Sequence, residues 1–315
     1  MGKIAFLFAG QGAQYAGMGA SLKECSPAAA KIFGMAEAVR PGTERQCFSG
    51  TEEELRETKN TQPCVFTVAL AAAEALREQG VIPDACAGFS LGEVCALTFG
   101  GAFSQEEGMR LVCRRGELMQ EAAEKHPGAM AAVLKLPNEE VERLCASFSE
   151  IWPVNYNCPG QLVAAGNPAQ LPDFCRASEA AGGKARPLAV GGGFHTPYMQ
   201  EASESFLSLL KSGEFSMKLP DMPVYSNKTA RFYGDAAEAE TLEELLAGQI
   251  RNPVRWQEIM EKLLAEGFDR FVEVGPGKTL TGFGKRLAKG CPEARFLHVE
   301  DEASLNETLK SLSGL

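Results

Sequence analysis

The chain has 315 residues, of which 45% are hydrophobic and 23% charged, with 10 cysteines, 3 histidines and a net charge of -10. Those proportions are average for globular proteins and exclude disordered, collagen-like and coiled-coil classes. The length suits one large α/β domain, or a large domain with a smaller one inserted in it. The acidic balance excludes nucleic acid as the main partner, because phosphate binding draws on clustered Lys and Arg.

No two cysteines form a CxxC pair, and no segment shows zinc-ligand spacing with a histidine. Reduced thiols in an intracellular, cytoplasmic compartment are therefore expected. The apolar opening run, Lys3 to Ala9, leads straight into a glycine turn and reads as a buried first strand rather than a signal peptide. Nothing approaches the length of a transmembrane helix.

In chain order, the strand Lys3 to Ala9 is followed by a helix from Gln62 to Gln79, a strand from Ala85 to Phe89, and helices starting at Leu91 and Gln105. Alternation of this kind predicts a parallel sheet covered on both faces. It resumes after residue 195 with a helix over Pro197 to Leu210, helices between 241 and 266, and strands at Phe271 to Val274 and Phe296 to Val299. Between the halves the rhythm changes. Strand Met130 to Leu136, helix Glu139 to Phe148, strands Trp152 to Asn157 and Gln161 to Ala165, helix Ala169 to Ala181 and strand Lys184 to Val190 give the order βαββαβ, the ferredoxin-like unit. The expected architecture is a hydrolase-like parallel-sheet α/β domain, residues 1–126 and 192–315, with a ferredoxin-like subdomain inserted at 127–191.

Gly88-Phe89-Ser90-Leu91-Gly92 is a GxSxG pattern at a strand-to-helix junction, the context in which a strained turn exposes a serine hydroxyl at the head of a helix. Glycines two residues to either side remove side chains that would clash there. Taken alone, the pattern is as readily a tight turn as a nucleophile elbow. A serine nucleophile needs a base, and only His126, His195 and His298 are offered. His126 lies at a domain junction and His298 alternates along a short strand, positions with ordinary structural readings. His195 follows the glycine run Gly191-Gly192-Gly193 and precedes Pro197, a loop setting that suits a catalytic group.

Further segments then fall into place: Gly10-Gln11-Gly12-Ala13-Gln14, Thr61-Gln62-Pro63, Arg115-Gly116 with Met119-Gln120, Phe194-His195-Thr196-Pro197, Gln249 ahead of Asn252-Pro253-Val254, and Glu273-Val274-Gly275-Pro276-Gly277. Their order and spacing, over nearly the whole chain, resembles malonyl-CoA:acyl carrier protein transacylases. One departure is Phe89, where that family more often has His. The resemblance implies Ser90 as the nucleophile that takes malonyl as an ester and His195 as its base, oriented through a backbone carbonyl near Gln249 rather than by an acid. It implies an oxyanion hole from the backbone N–H groups of Gln11 and Leu91. It also implies Arg115 as the group that holds the malonyl carboxylate by two parallel hydrogen bonds, with Met119 lining the same pocket. Without the resemblance, Arg115 beside Arg114 is simply a solvated helix face. Malonyl-CoA and a phosphopantetheinylated acyl carrier protein are the implied partners, and no metal or tightly bound cofactor is implied.

Two other functions remain open on the residues alone. A serine hydrolase of thioesters or esters would use the same Ser90 and His195, and a non-catalytic module could dock a carrier protein. Lys184, Arg186, Lys285, Arg286 and Lys289 form a candidate basic surface for an acidic carrier, although ordinary solvated charges read the same way.

Overall fold

The computed structural model describes residues 2–237 and 239–313. Among the described residues, nine strands form two sheets: β1 (Lys3–Phe8), β2 (Ala85–Gly88), β3 (Ala129–Leu134), β4 (Ile151–Cys158), β5 (Gln161–Gly166), β6 (Lys184–Pro187), β7 (Val224–Tyr225), β8 (Phe268–Val274) and β9 (Arg295–Val299). The first sheet is wholly parallel with the order β7-β2-β1-β8-β9. Its central strands are buried over Ala5 to Phe8 and Phe271 to Val274, apolar there except for the polar but equally buried Glu273, as a sheet covered on both faces requires. From β1 the chain moves outward to β2 on one side, while β8 and β9 lie on the other. The crevice beyond the carboxyl ends of β1 and β8 is therefore the natural ligand position of an open parallel sheet.

The second sheet is antiparallel with the order β4-β5-β3-β6. Two helices, Asn138–Cys145 and Leu171–Ala180, cover one face of it and bury Val133, Leu162, Leu171 and Phe174 in a separate small core. This βαββαβ arrangement is the one expected from the sequence. Its fourth strand ends at Pro187 rather than Val190, with one further bond to β3 from Leu188 N to Met130 O at 2.9 Å. The sheet is tied to the larger body through β4: Tyr156 N donates to Val254 O at 3.0 Å, and Val254 N donates to Val154 O at 2.8 Å.

Other differences have local causes. The helix expected from Gln62 begins one turn earlier and spans Thr58–Glu78, with Pro63 inside it. Tertiary contacts hold that first turn: Gln120 Oε1 accepts from Thr58 N at 3.0 Å, and Gly116 of the helix Gln105–Lys125 lies so close that a Cβ would sit 3.1 Å from Lys59 Cα. The helix expected over Pro197 to Leu210 starts as a single 3-10 turn, Pro197–Met199. Four short helices between Ala20 and Arg56 and the two-residue strand β7 have no counterpart among the elements expected from the sequence. Among the described residues, no helix is long and apolar enough to cross a membrane.

Candidate active site

β2 ends at Gly88, and the helix Leu91–Phe99 begins immediately after Ser90. Between them Ser90 takes φ 54° and ψ -105°, outside the regions open to L-residues. The turn is crowded as the GxSxG pattern demands: a Cβ on Gly88 would lie 1.9 Å from Gly92 O, and one on Gly92 would lie 2.3 Å from Phe8 O. His195 is also strained, at φ 64°, and these two are among only four non-glycine residues with positive φ in the described chain. Such strain persists where surrounding structure over-determines it.

The structure brings the two together. Ser90 Oγ lies 2.8 Å from His195 Nε2, and His195 Nδ1 lies 2.8 Å from the main-chain carbonyl of Gln249. A carbonyl only accepts, so in the neutral ring the proton sits on Nδ1 and leaves the Nε2 lone pair facing the serine hydroxyl. Among the described residues, no carboxylate touches the imidazole. Burial, reinforced by the Arg115 charge and opposed by backbone hydrogen bonds at Gln249 and Asn252, pulls the His195 pKa down to about 4. The ring is thus uncharged at neutral pH.

Arg115 is fully buried on the helix Gln105–Lys125, so the solvated reading of this residue is wrong. Its Nη1 donates to Gln62 Oε1 at 2.7 Å, and its Nη2 donates to Gln249 Oε1 at 2.7 Å and reaches Ser90 Oγ at 3.3 Å. Its Nε has no partner among the described residues, so a donor remains unspent. Burial lowers the guanidinium pKa to about 10, which still leaves it charged. Met119, one turn along, accepts from Gln62 Nε2 through sulfur at 3.4 Å.

Two cavities that share Gln11, Phe89, Asn155 and Leu188 as lining occupy the crevice. A small one of about 90 Å³ is bordered by Gln11, Gln62, Ser90, Met119, Phe194 and His195. A larger one of about 200 Å³ runs outward between the loop after β1, the residues following β8 and the inner face of the antiparallel sheet. Asn155, Asn157 and Gln161 line it from that sheet, and the buried Oδ1 atoms of Asn155 and Asn157 have no partner among the described residues. Phe89 borders both cavities and packs against Trp256 and Phe283, with ring centroids 5.5 and 6.3 Å away. Leu91 is the first residue of its helix, so its N–H belongs to the unpaired first turn. Gln11, at the end of β1, borders both cavities.

The acyl transferase domain family matches residues 5–299. The malonyl CoA-acyl carrier protein transacylase of Bacillus subtilis is 37% identical over 99% of this chain and 98% of its own, and that of Staphylococcus aureus is 34% identical over 98% and 99%. The chain belongs to this family. The crystal structure of the Clostridium perfringens transacylase superposes with a TM-score of 0.92 at 36% identity, covering 99% of this chain and 98% of that one. A malonyl-transacylase in complex with a type II polyketide synthase acyl-carrier protein superposes at 0.91, with 34% identity and coverage of 99% and 100%.

Beneath these residues lies a layer that the sequence does not reveal. Glu93, buried in the helix after Ser90, accepts from Tyr233 OH, from Asn227 N at 3.0 Å and from Gln249 Nε2 at 3.0 Å. Burial pushes its pKa up to about 7 against the pull of those donors and of Arg115. Glu93 sits in plain view as the residue after Gly92, but nothing local assigns it partners. Asn227 lies 134 residues away in irregular chain, and Tyr233 lies 140 residues away at the start of the four-residue helix Tyr233–Ala236. The turn Gly275-Pro276-Gly277 is structural: Gly275 has φ 117°, and a Cβ there would meet Ala9 at 2.9 Å.

The depressed pKa of His195 has a kinetic consequence. Only the neutral ring can take the serine proton, so phosphonylation of Ser90 by a fluorophosphonate should stay level as pH falls from 7 through 6 and fade with a midpoint near the group's value of about 4. Rates measured across that range check it; a midpoint at the ordinary histidine value would show the ring to be solvated.

Proposed function

We propose that this protein transfers malonyl from malonyl-CoA to the phosphopantetheine thiol of an acyl carrier protein through a malonyl ester on Ser90, in the cytoplasm, supplying malonyl-carrier protein for fatty-acid synthesis. The observation that carries the reading is a fully buried guanidinium, Arg115, 3.3 Å from a serine hydroxyl that is itself 2.8 Å from a neutral imidazole. A buried cation beside a nucleophile suits a substrate with a carboxylate at the far end of its acyl group. The names of the relatives agree with that substrate.

In this reading His195 Nε2 takes the Ser90 proton as Oγ attacks the thioester carbonyl. The resulting oxyanion is held by the N–H groups of Leu91 and Gln11. The proton then passes to the departing coenzyme A sulfur, and the carrier thiol repeats the sequence in reverse, so the kinetics are ping-pong. Arg115 pairs with the malonyl carboxylate throughout, using donors that Gln62 and Gln249 hold in place. The larger cavity would receive the pantetheine arm, whose amide N–H groups suit the unpartnered Asn155 and Asn157 oxygens. We take residues 127–191 as the inserted subdomain that roofs this channel over the body formed by 1–126 and 192–315.

In this reading the basic residues Lys184, Arg186, Lys285, Arg286 and Lys289 would receive an acidic carrier. Leu134 of β3 pairs with Gln161 on one side and with Lys184 on the other, and Arg286 Nη1 donates to Gln161 Oε1 at 2.6 Å. Lys184 and Gln161, the residue that Arg286 contacts, are therefore at the same end of the antiparallel sheet, two strand spacings or about 10 Å apart. Arg186 is exposed on the same strand as Lys184, Lys285 on the same helix as Arg286, and Lys289 on the 3-10 turn Ala288–Gly290 that follows that helix.

The decisive experiment is incubation with malonyl-CoA followed by intact-mass and peptide mapping. A malonyl adduct on Ser90 that is missing from Ser90→Ala is expected; an adduct persisting on that variant would remove Ser90 from the scheme. Arg115→Ala should strand the malonyl carboxylate, for which a loss of about 2–5 kcal/mol is typical, while acetyl-CoA use falls little. The ratio of kcat/KM for the two thioesters measures this, and Arg115→Lys should restore only part of it, because an ammonium lacks the planar fork. An unchanged ratio would mean that the carboxylate is read elsewhere.

Reversing Lys285 and Lys289 to Glu spares the Arg286 contact to Gln161. It should slow transfer to the carrier more than acylation by malonyl-CoA, and more so at low salt. Equal effects on the two half-reactions would dissociate the patch from docking.

A further inference from the structure

Ser90 holds a backbone conformation that its own residue type disfavours, at φ 54° and ψ -105°. Something outside the turn must hold it there. The peptide groups around it are gripped by two side chains. Asn227 Oδ1 accepts from Ser90 N at 2.7 Å while Asn227 Nδ2 donates to Gly88 O at 2.7 Å, and Gln249 Nε2 donates to Ser90 O at 2.8 Å. Both gripping residues are anchored on one atom. Glu93 Oε2 accepts from Asn227 N and from Gln249 Nε2, each at 3.0 Å, while Oε1 accepts from Tyr233 OH.

We propose that Glu93 is a positioning residue for the reaction: through Asn227 and Gln249 its carboxylate clamps the serine elbow in its strained form. The inference rests on the reading of Ser90 as the nucleophile. Glu93 touches neither the serine hydroxyl nor the imidazole in the described hydrogen bonds, so its effect is indirect. It also sets the direction of the Gln249 carboxamide. With Nε2 drawn to the carboxylate, Oε1 is left to face Arg115 Nη2 at 2.7 Å. The same residue's main-chain carbonyl orients His195. One carboxylate thereby sets the register of nucleophile, base and guanidinium together. Because misplacement of a reacting group by about 1 Å can cost ~10²-fold in rate, loss of the clamp should be visible in the chemistry before it is visible in the fold.

The clamp is a matter of hydrogen-bond geometry, and two conservative variants separate that from charge. Glu93→Gln removes the charge but keeps an acceptor oxygen at full reach, with its amide able to donate to a turned Tyr233 hydroxyl. Glu93→Asp keeps the charge but withdraws the carboxylate by one methylene, about 1.5 Å. The readout is the rate of Ser90 phosphonylation by a fluorophosphonate, which does not depend on malonyl being the substrate, alongside thermal melts of each protein. Labelling within about fivefold of wild type is expected for Gln. A loss of ~10²-fold is expected for Asp in folded protein. Labelling of the Asp variant at the wild-type rate, or of the Gln variant as slowly as a folded Asp variant, would overturn the proposal. If wild type labels rapidly yet forms no malonyl adduct, the substrate reading fails while the clamp is still tested.

Discussion

Gln249 is the residue on which the rest of the site depends, because each of its polar groups is committed. Its N–H donates to Leu245 O, its carbonyl accepts from His195, its Oε1 accepts from Arg115, and its Nε2 divides two protons between Ser90 O and Glu93. A glutamine at the end of the helix Leu242–Gly248 can do this because the backbone and the side chain leave in different directions. The consequence is rigidity. None of His195, Arg115 and the Ser90 carbonyl can shift without breaking a bond to this residue, and among buried groups a broken bond is costly.

That constraint explains how the chain keeps a guanidinium and a carboxylate in its interior without pressing them into a salt bridge. Arg115 and Glu93 are both fully buried, and unpaired charges there would be strongly disfavoured. The Gln249 carboxamide stands between them, accepting from one and donating to the other. Each ion is solvated by amide groups fixed in direction. Had the carboxylate paired with the guanidinium directly, its oxygens would occupy the donors that the proposed malonyl carboxylate needs. Keeping the base free of an acid has a parallel effect: with no carboxylate among the described residues to offset burial and the Arg115 charge, His195 stays neutral far below the ordinary histidine pKa.

The parallel sheet supplies the frame. β1, β2 and β8 end at the same edge, so the strand order alone brings Gln11, Ser90 and the Gly275 turn, each just past the end of its strand, to one crevice. The antiparallel sheet then adds side chains to the open side. Asn155, Asn157 and Gln161 come from strands that share no ladder with the parallel sheet. They give a polar wall to a channel whose opposite side carries Phe89 and Phe283.

The sequence by itself determined the elements whose causes are local. Apolar runs bounded by glycine marked β1 and β2, the change of rhythm after residue 126 marked the βαββαβ unit, and glycines on both sides of Ser90 marked a turn that only such residues permit. The pairing of Ser90 with His195 could be reached by elimination among three histidines, and the parts of Arg115 and Gln249 through the family resemblance. The helix start at Thr58, the burial of Arg115 and the layer of Glu93, Asn227 and Tyr233 were decided only by the tertiary structure. Arg115 falls on the apolar stripe of its helix, in line with Leu111, Val112 and Met119, but a charged side chain beside Arg114 reads by itself as solvated. Asn227 and Tyr233 lie in chain with no periodicity to read. The physical reason is range: strand and helix signals repeat within a few residues, whereas a buried carboxylate takes whatever donors the packing of distant segments delivers, and no pattern short of the fold specifies which those are.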